Sequence, residues 1–462
     1  MSDLADRLGD LGHRLADQLR AHRVPGASLA VLDRDEVFAT AAGLANVRTG
    51  VEATPDTVFQ MGSITKVFTA TLVMQLVDEG RLALDTRVVD ALPDFTLADR
   101  DAARGLRVEH LLTHTSGIDG DQFLDTGRGH DAVARFLDAC PGMPLLHPPG
   151  AMFSYCNAGF VIAGRLVEVL RGAHYDAVLR ERILAPLGLE ATGTLPEQAI
   201  LHRAAAGHVV DLDGGAARVV PVWSLQPSNA PAGSTPFTTA RELLAFARLH
   251  LAGGVAPAGT RLLSERSTRA MQQRRVVLLP GSIADAWGLG WALAEWRGGR
   301  VLQHGGVTLG QRAYLVVAPE RRVAVALLTN GGDGESLYAA LFDLLFRELA
   351  GMGMPPTPEP DPTLTVEAAR YVGVYERSGS RIAVEPSGAG LAARVQAIWA
   401  SLDPHAPPLA LRPVAPDLFR VAQPGSRRDA MVGFLDPEQS GRPRFLFLAG
   451  RAHRRAQEPT RR

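Results

Sequence analysis

Leucines at positions 4, 8, 11, 15 and 19 recur at helical spacing among polar neighbours. This pattern predicts an amphipathic helix over residues 4–22, closed by Val24-Pro25-Gly26. Two strand-like runs follow, Ala27–Leu32 and Glu36–Ala42, forming a hairpin across Asp33-Arg34-Asp35. A helix beginning near Ser63 continues through Val67–Glu79 until Gly80. Residues 81–200 read as mostly helical, with turns at Pro93, Gly117-Ile118-Asp119-Gly120, Pro148-Pro149-Gly150 and Gly188. Another helix is expected over Thr239–Ala252. Strands are expected at Gly288–Trp296, Val301–His304, Gln311–Ala318 and Val323–Thr329, and a closing helix at Leu337–Leu349. Strands at both ends with helices between them predict an α+β layer structure carrying a helical subdomain.

The pattern then changes. Residues 351–363 are a Pro-rich spacer. Beyond it, short alternating runs such as Tyr371–Tyr375, Arg381–Glu385, Leu391–Val395 and Arg444–Leu448 are separated by turns rich in Gly, Pro and Asp. They predict a small antiparallel β domain of barrel type over residues 364–462, distinct from a catalytic domain over residues 1–350. A length of 462 residues fits two domains of unequal size.

Charge narrows the partners. The formal net charge is −1, which excludes a strongly basic nucleic-acid-binding protein and an anionic-membrane binder. No apolar run is long enough to span a bilayer, and charges run through Met1–Asp10 where a signal peptide would need an apolar core. A cytoplasmic location is therefore expected. Cys140 and Cys156 give no disulfide framework. No His/Asp/Glu set has ligand spacing, so neither a metal nor another cofactor is expected.

Composition sharpens one position. Of 48 basic residues only one, Lys66, is lysine, although a chain drifted this far toward Arg would tolerate Arg at any salt bridge. A proton acceptor is different, because guanidinium is not deprotonated in a protein while a desolvated ammonium can be. Lys66 lies three residues after Ser63, so at a helix start the two side chains share one face, one turn apart. Lys66 can then take the Ser63 proton as the hydroxyl attacks a carbonyl.

Three further segments join them. In Phe153-Ser154-Tyr155-Cys156-Asn157, Tyr155 can relay a proton to a leaving group and Asn157 can hold a substrate amide. Cys156, between them, is expected to point the opposite way, into the protein, as a structural residue. In His304-Gly305-Gly306-Val307, the glycines let a substrate backbone approach the strand edge, and the Val307 N–H can pair with that of Ser63 as an oxyanion hole. The run Leu111-Leu112-Thr113-His114-Thr115-Ser116-Gly117 has no evident chemical role. His114 and Thr115 are expected to brace the loop, with Gly117 at its turn.

Ser63-x-x-Lys66, Tyr155-x-Asn157, the His114-Thr115-Ser116-Gly117 run and His304-Gly305-Gly306 together resemble the penicillin-binding-protein and class C β-lactamase superfamily, over about residues 15–350. The likeness is closest to its esterase, D-aminopeptidase and thioesterase branch. It implies Ser63 as acyl-enzyme nucleophile, Lys66 as base and Tyr155 as second acid/base. Asn157 would position substrate, and the N–H groups of Ser63 and Val307 would be the oxyanion donors. His304 stands where the family usually carries Lys followed by Thr-Gly or Ser-Gly. A neutral imidazole is a poor carboxylate clamp, so β-lactamase and carboxypeptidase activities are not expected. The C-terminal domain is similar to the lipocalin-like domains of some branches.

Three functions stay open at this level. The first is hydrolysis of small esters, amides or D-configured peptides. The second is a penicillin-binding-protein-type thioesterase, which would take a carrier-protein-bound nonribosomal peptidyl thioester and release it by macrocyclisation. The third is a non-catalytic sensor or scaffold, against which the retained lysine argues.

Overall fold

The computed structural model describes residues 3–212, 214–388, 390–397, 408–422 and 426–457. Its centre is an antiparallel nine-stranded sheet. The spatial order is Val51–Glu52, Glu36–Asn46, Gly26–Asp33, Val323–Thr329, Arg312–Ala318, Gly299–Val307, Ala292–Trp296, Ala286–Trp287 and Val276–Val277. The first and last parts of the catalytic domain therefore meet in mid-sheet, with Ala27 opposite Thr329 and Asp33 opposite Val323.

The sheet is covered on both faces, which explains the unbroken apolar run Val323–Thr329, buried along its whole length. One face packs Leu29, Val31, Val325 and Leu327 against Leu15, Leu19, Leu341, Phe342 and Leu345 of the first and closing helices. The other packs Ala30, Leu32, Leu315 and Leu328 against Phe68, Leu72, Leu243 and Phe246. Alternate residues of one strand thus serve two cores.

Two expected elements are interrupted. The helix expected over residues 4–22 is two helices, Asp3–Arg7 and Leu11–Ala21. Gly9, costly inside a helix, sits at the break, and Leu4, Leu8, Leu11, Leu15 and Leu19 still join one core. The strand expected over Gly288–Trp296 is two, Ala286–Trp287 and Ala292–Trp296. The turn between them drops toward the helix that carries Lys66. Gly290 has φ +81°, and a Cβ there would lie 2.7 Å from the Ala70 Cβ. The segment between 81 and 200 holds several short helices around one long one, Asn157–Arg171, with more loop than the expectation allowed. Among the described residues no helix is long and apolar enough to cross a membrane.

Residues beyond the Pro-rich spacer form a closed antiparallel barrel of eight strands, from Gly373–Arg377 to Arg451–Arg455. Closure pairs Tyr375 with Arg455. Tyr375, Leu391, Phe419, Phe434 and Leu446 fill the interior. The outer face is not wholly solvated. Phe445, Phe447 and Ala452 pack onto Phe153, Tyr155 and Trp287 of the catalytic domain. The barrel therefore docks directly against the segment expected to hold Tyr155.

Candidate active site

Ser63 lies on a single 3-10 turn, Gly62–Ile64, that feeds the helix Thr65–Asp78. The turn is tight. Gly62 has φ +53°, and the Thr65 hydroxyl donates to its carbonyl at 2.7 Å. Lys66, on the first turn of the helix, is fully buried and its Nζ lies 3.0 Å from Ser63 Oγ. Nζ also donates to the Ala232 carbonyl at 2.6 Å. Burial, and then the Arg451 charge, push the Lys66 pKa well below the ordinary lysine value. A neutral Nζ that spends one N–H on Ala232 keeps a lone pair for the Ser63 proton.

Tyr155 approaches from the other side. Its hydroxyl faces Ser63, and burial raises its pKa, so it is a protonated phenol. Lys66 Nζ lies 4.9 Å from the centre of its ring. The backbone of Tyr155 is fixed by the barrel, since its N–H donates to the Gly450 carbonyl at 2.8 Å. Cys156 points inward, as expected. Its Sγ caps the helix Asn157–Arg171 by accepting from the Gly159 N–H at 3.2 Å, and burial raises its thiol pKa to about 11. A protonated buried thiol is a structural residue, not a nucleophile.

Asn157 is the first residue of that helix, and one N–H of its side-chain amide is engaged. Nδ2 donates to Asp121 Oδ1 at 2.7 Å. Asp121 in turn accepts from Arg451 Nε at 2.6 Å and pairs with Arg377 Nη1 at 2.8 Å. Burial opposes the Asp121 charge, yet Arg451 and Arg377 hold its pKa down to about 2. Arg451 also lies over the Tyr155 ring, 4.8 Å from its centre. Asp121, Arg377 and Arg451 were not found from the sequence. Both arginines are barrel residues, and no spacing singles them out among so many. Asp121 follows the Ser116-Gly117 turn but has no motif of its own.

The strand Gly299–Val307 carries His304 toward the site and Gly305 away from it. His304 Nδ1 donates to the Gly305 carbonyl at 2.7 Å, so Nε2 carries the bare lone pair. Burial, and then the Lys66 charge, lower its pKa to about 3. His304 is thus a neutral acceptor. The two glycines differ. A Cβ on Gly306 would fall 2.0 Å from the Met61 carbonyl oxygen, whereas on Gly305 it would meet nothing closer than 3.8 Å. Only Gly306 is required by close approach. The Val307 N–H stands at the nucleophile's turn, 2.7 Å from where a Gly62 Cβ would be.

One grouping of potential ligand side chains was not legible from spacing. The fold brings His130, His174 and Asp176 together, with one ligand atom of each within 4.8 Å of the others. Sequence spacing concealed them because His130 comes from a different segment. His174 Nδ1 is already the acceptor for the Ala177 N–H at the start of a short helix.

A helix-borne Ser-x-x-Lys pair, a phenol on the serine and a glycine-edged strand beside it, all set on a helix-flanked antiparallel sheet, define a β-lactamase-like serine hydrolase. The chain belongs to the β-lactamase family, whose model matches residues 13–348. It is 47% identical to penicillin-binding protein 4 of Amycolatopsis lactamdurans over 370 residues, covering 79% of this chain and 96% of that one. The crystal structure of SurE superposes with a TM-score of 0.81 at 30% identity, over 98% of this chain and 100% of SurE, the barrel included. The D-amino acid amidase of Ochrobactrum anthropi SV3, solved with L-phenylalanine amide, gives a TM-score of 0.60 at 26% identity, over 71% of this chain and 94% of the amidase.

Proposed function

We propose that the protein is a serine acyl-transfer enzyme that hydrolyses small ester, amide or D-configured peptide substrates through an acyl-Ser63 intermediate. The observation that carries this is the 3.0 Å contact between Ser63 Oγ and a buried Lys66 Nζ of lowered pKa. Neutral Lys66 accepts the Ser63 proton as Oγ attacks the carbonyl carbon. The oxyanion forms against the N–H groups of Ser63 and Val307. Tyr155 passes a proton to the departing group, which leaves with the electron pair of the broken bond. Water then attacks the acyl-enzyme, and the same groups return the proton to Ser63. His304 offers a neutral acceptor where a carboxylate clamp would need a cation, which supports substrates other than penicillin-like acids.

A second reading is a thioesterase of the penicillin-binding-protein type, in which an amine of the peptide itself replaces water and closes a ring. One observation favours it. The barrel walls the site at Tyr155 through Arg451 and Phe447, an enclosure against which a long peptidyl chain can fold back on its own acyl carbon. SurE, which is alike over both domains, has also been solved with D-Leu.

Mass spectrometry of products from a linear peptidyl thioester ending in a D-residue separates the readings, with Ser63→Ala run in parallel. Linear acid that depends on Ser63 is the expected product of a hydrolase. A product lighter by one water, again dependent on Ser63, would replace that reading with the cyclising one. Absence of both turnover and acyl adduct would remove acyl transfer altogether.

A further inference from the structure

His114 is a buried residue in a left-handed backbone conformation, φ +57°. For a residue other than Gly this conformation is strained and persists only where surrounding contacts enforce it. The contacts here are specific. The His114 carbonyl accepts the Ser154 N–H at 2.8 Å, and its Nδ1 accepts the Cys156 N–H at 2.9 Å. The residues on either side of Tyr155 are thus both tied to His114. Between the two ties the imidazole lies against the Tyr155 ring, centroids 4.1 Å apart and planes at 26°.

The chemistry of the ring is fixed by these partners. A backbone N–H can only donate, so Nδ1 is bare and the single proton is on Nε2. Nε2 is buried without a nitrogen or oxygen partner. The neighbouring rings are Trp287 at 4.9 Å and Phe153 at 5.6 Å, both in T-shaped contact, and aromatic faces tolerate an N–H that water cannot reach. A second proton would have to displace the Cys156 N–H. It would also enter a fully buried site that already faces Lys66, His304 and Arg451.

We infer that His114 is a positioning residue for Tyr155: its carbonyl and bare Nδ1 clamp the N–H groups of the two neighbouring residues, and its neutral ring backs the phenol, aiming the hydroxyl at Ser63. This rests on the acyl-transfer reading and assigns a task to a motif residue otherwise expected only to brace a loop. The left-handed backbone is part of the device, because carbonyl and imidazole both meet the one segment, residues 154–156.

The test uses two substrates that give one acyl-enzyme and differ only in what leaves, N-acetyl-D-phenylalanine p-nitrophenyl ester and the corresponding p-nitroanilide. Nitrophenolate departs without a proton, whereas the anilide nitrogen must be protonated, so only the anilide needs a well-aimed Tyr155. His114→Phe keeps a ring under the phenol but removes the Nδ1 acceptor. It should lose about a hundredfold in kcat on the anilide and less than about tenfold on the ester, with little change in KM. His114→Asn keeps an acceptor and tolerates positive φ but loses the stack, so its anilide-to-ester ratio should fall between wild type and His114→Phe. This second variant carries the test if the first does not fold. In a Tyr155→Phe background, His114→Phe should add no further loss on the anilide. Equal losses on both substrates, an unchanged ratio in the variants, or full additivity with Tyr155→Phe would overturn the inference and leave His114 merely structural. No Ser63-dependent turnover by the wild type on either substrate would instead remove the acyl-transfer reading, and the inference with it.

Discussion

Two parts of the wall around the nucleophile are built by opposite means. Ser63 and Lys66 are three residues apart, and one helical turn brings Oγ and Nζ to 3.0 Å. Asp121 and Arg451 are 330 residues apart, and a separate barrel must close and dock before Nε reaches the carboxylate at 2.6 Å. The first pair is made by local backbone geometry and survives any rearrangement that leaves the helix intact. The second depends on every contact that seats the barrel, including Phe445 and Phe447 against Phe153 and Trp287. On the proposed mechanism the chemistry falls to the local pair, while the distant pair contacts Asn157 and the Tyr155 ring.

The comparison breaks most sharply at Lys66. Lys66→Arg keeps the charge but loses the removable proton, and kcat on an ester substrate should fall by on the order of 10³-fold with Ser63 still present. Turnover near wild type would show that another group serves as base. The distant pair is tested by Arg451→Ala. Asp121 is almost wholly buried while a quarter of the Arg451 side chain is exposed, and Arg377 remains as a partner. The variant should be destabilised by about 2 kcal/mol, read as a lowered denaturation midpoint, less than for a fully enclosed pair. Its kcat should fall by about tenfold as Tyr155 loses its backing, and an unaltered kcat would mean that the barrel does not act on the site through this residue.

Steric closeness at the local pair can be probed at Gly306, which packs against the turn that carries Ser63. Gly306→Ala places a Cβ 2.0 Å from the Met61 carbonyl oxygen and should cost about 1–3 kcal/mol, while Gly305→Ala, with open space, should be nearly silent. Similar midpoints for both variants in thermal unfolding would contradict the close approach. The smallest effect expected is on acid stability. The folded pKa of Asp121 is lowered to about 2 from an ordinary 3.8, so its contribution is complete above the ordinary value and lost as pH falls toward about 2. Unfolding of Asp121→Asn should accordingly depend less on pH below about 4 than that of the parent. A difference between them that stays constant from neutral pH down to pH 2 would remove Asp121 as the source.

Much of the fold was legible because the apolar pattern was strong where burial was two-sided. The hairpin at the start of the catalytic domain, the run Val323–Thr329 and the closing helix all follow from it. The interrupted elements were not legible. Gly9 and Gly290 read as ordinary residues in continuous patterns, and only the sheet face on one side and Ala70 on the other explain the breaks. In the site, Ser63, Lys66, Tyr155 and His304 carry their chemistry in residue type and spacing. Asn157 was read as a substrate-holding amide, and one of its N–H groups donates to Asp121, a partner that no motif announces.

The sequence by itself brought Ser63 and Lys66 together as candidate nucleophile and base, because three residues on a helix fix both distance and direction, and because lysine, unlike arginine, can give up its proton. It also determined that two domains of different character follow one another, because hydrophobic period and turn composition are local properties. Tertiary structure alone decided that the second domain reaches the candidate site, through Arg451 on Tyr155 and Asp121. Charge pairing of Arg377 and Arg451 with Asp121 is a matter of burial and proximity across domains, and nothing local in a chain rich in arginine marks which guanidinium will be desolvated.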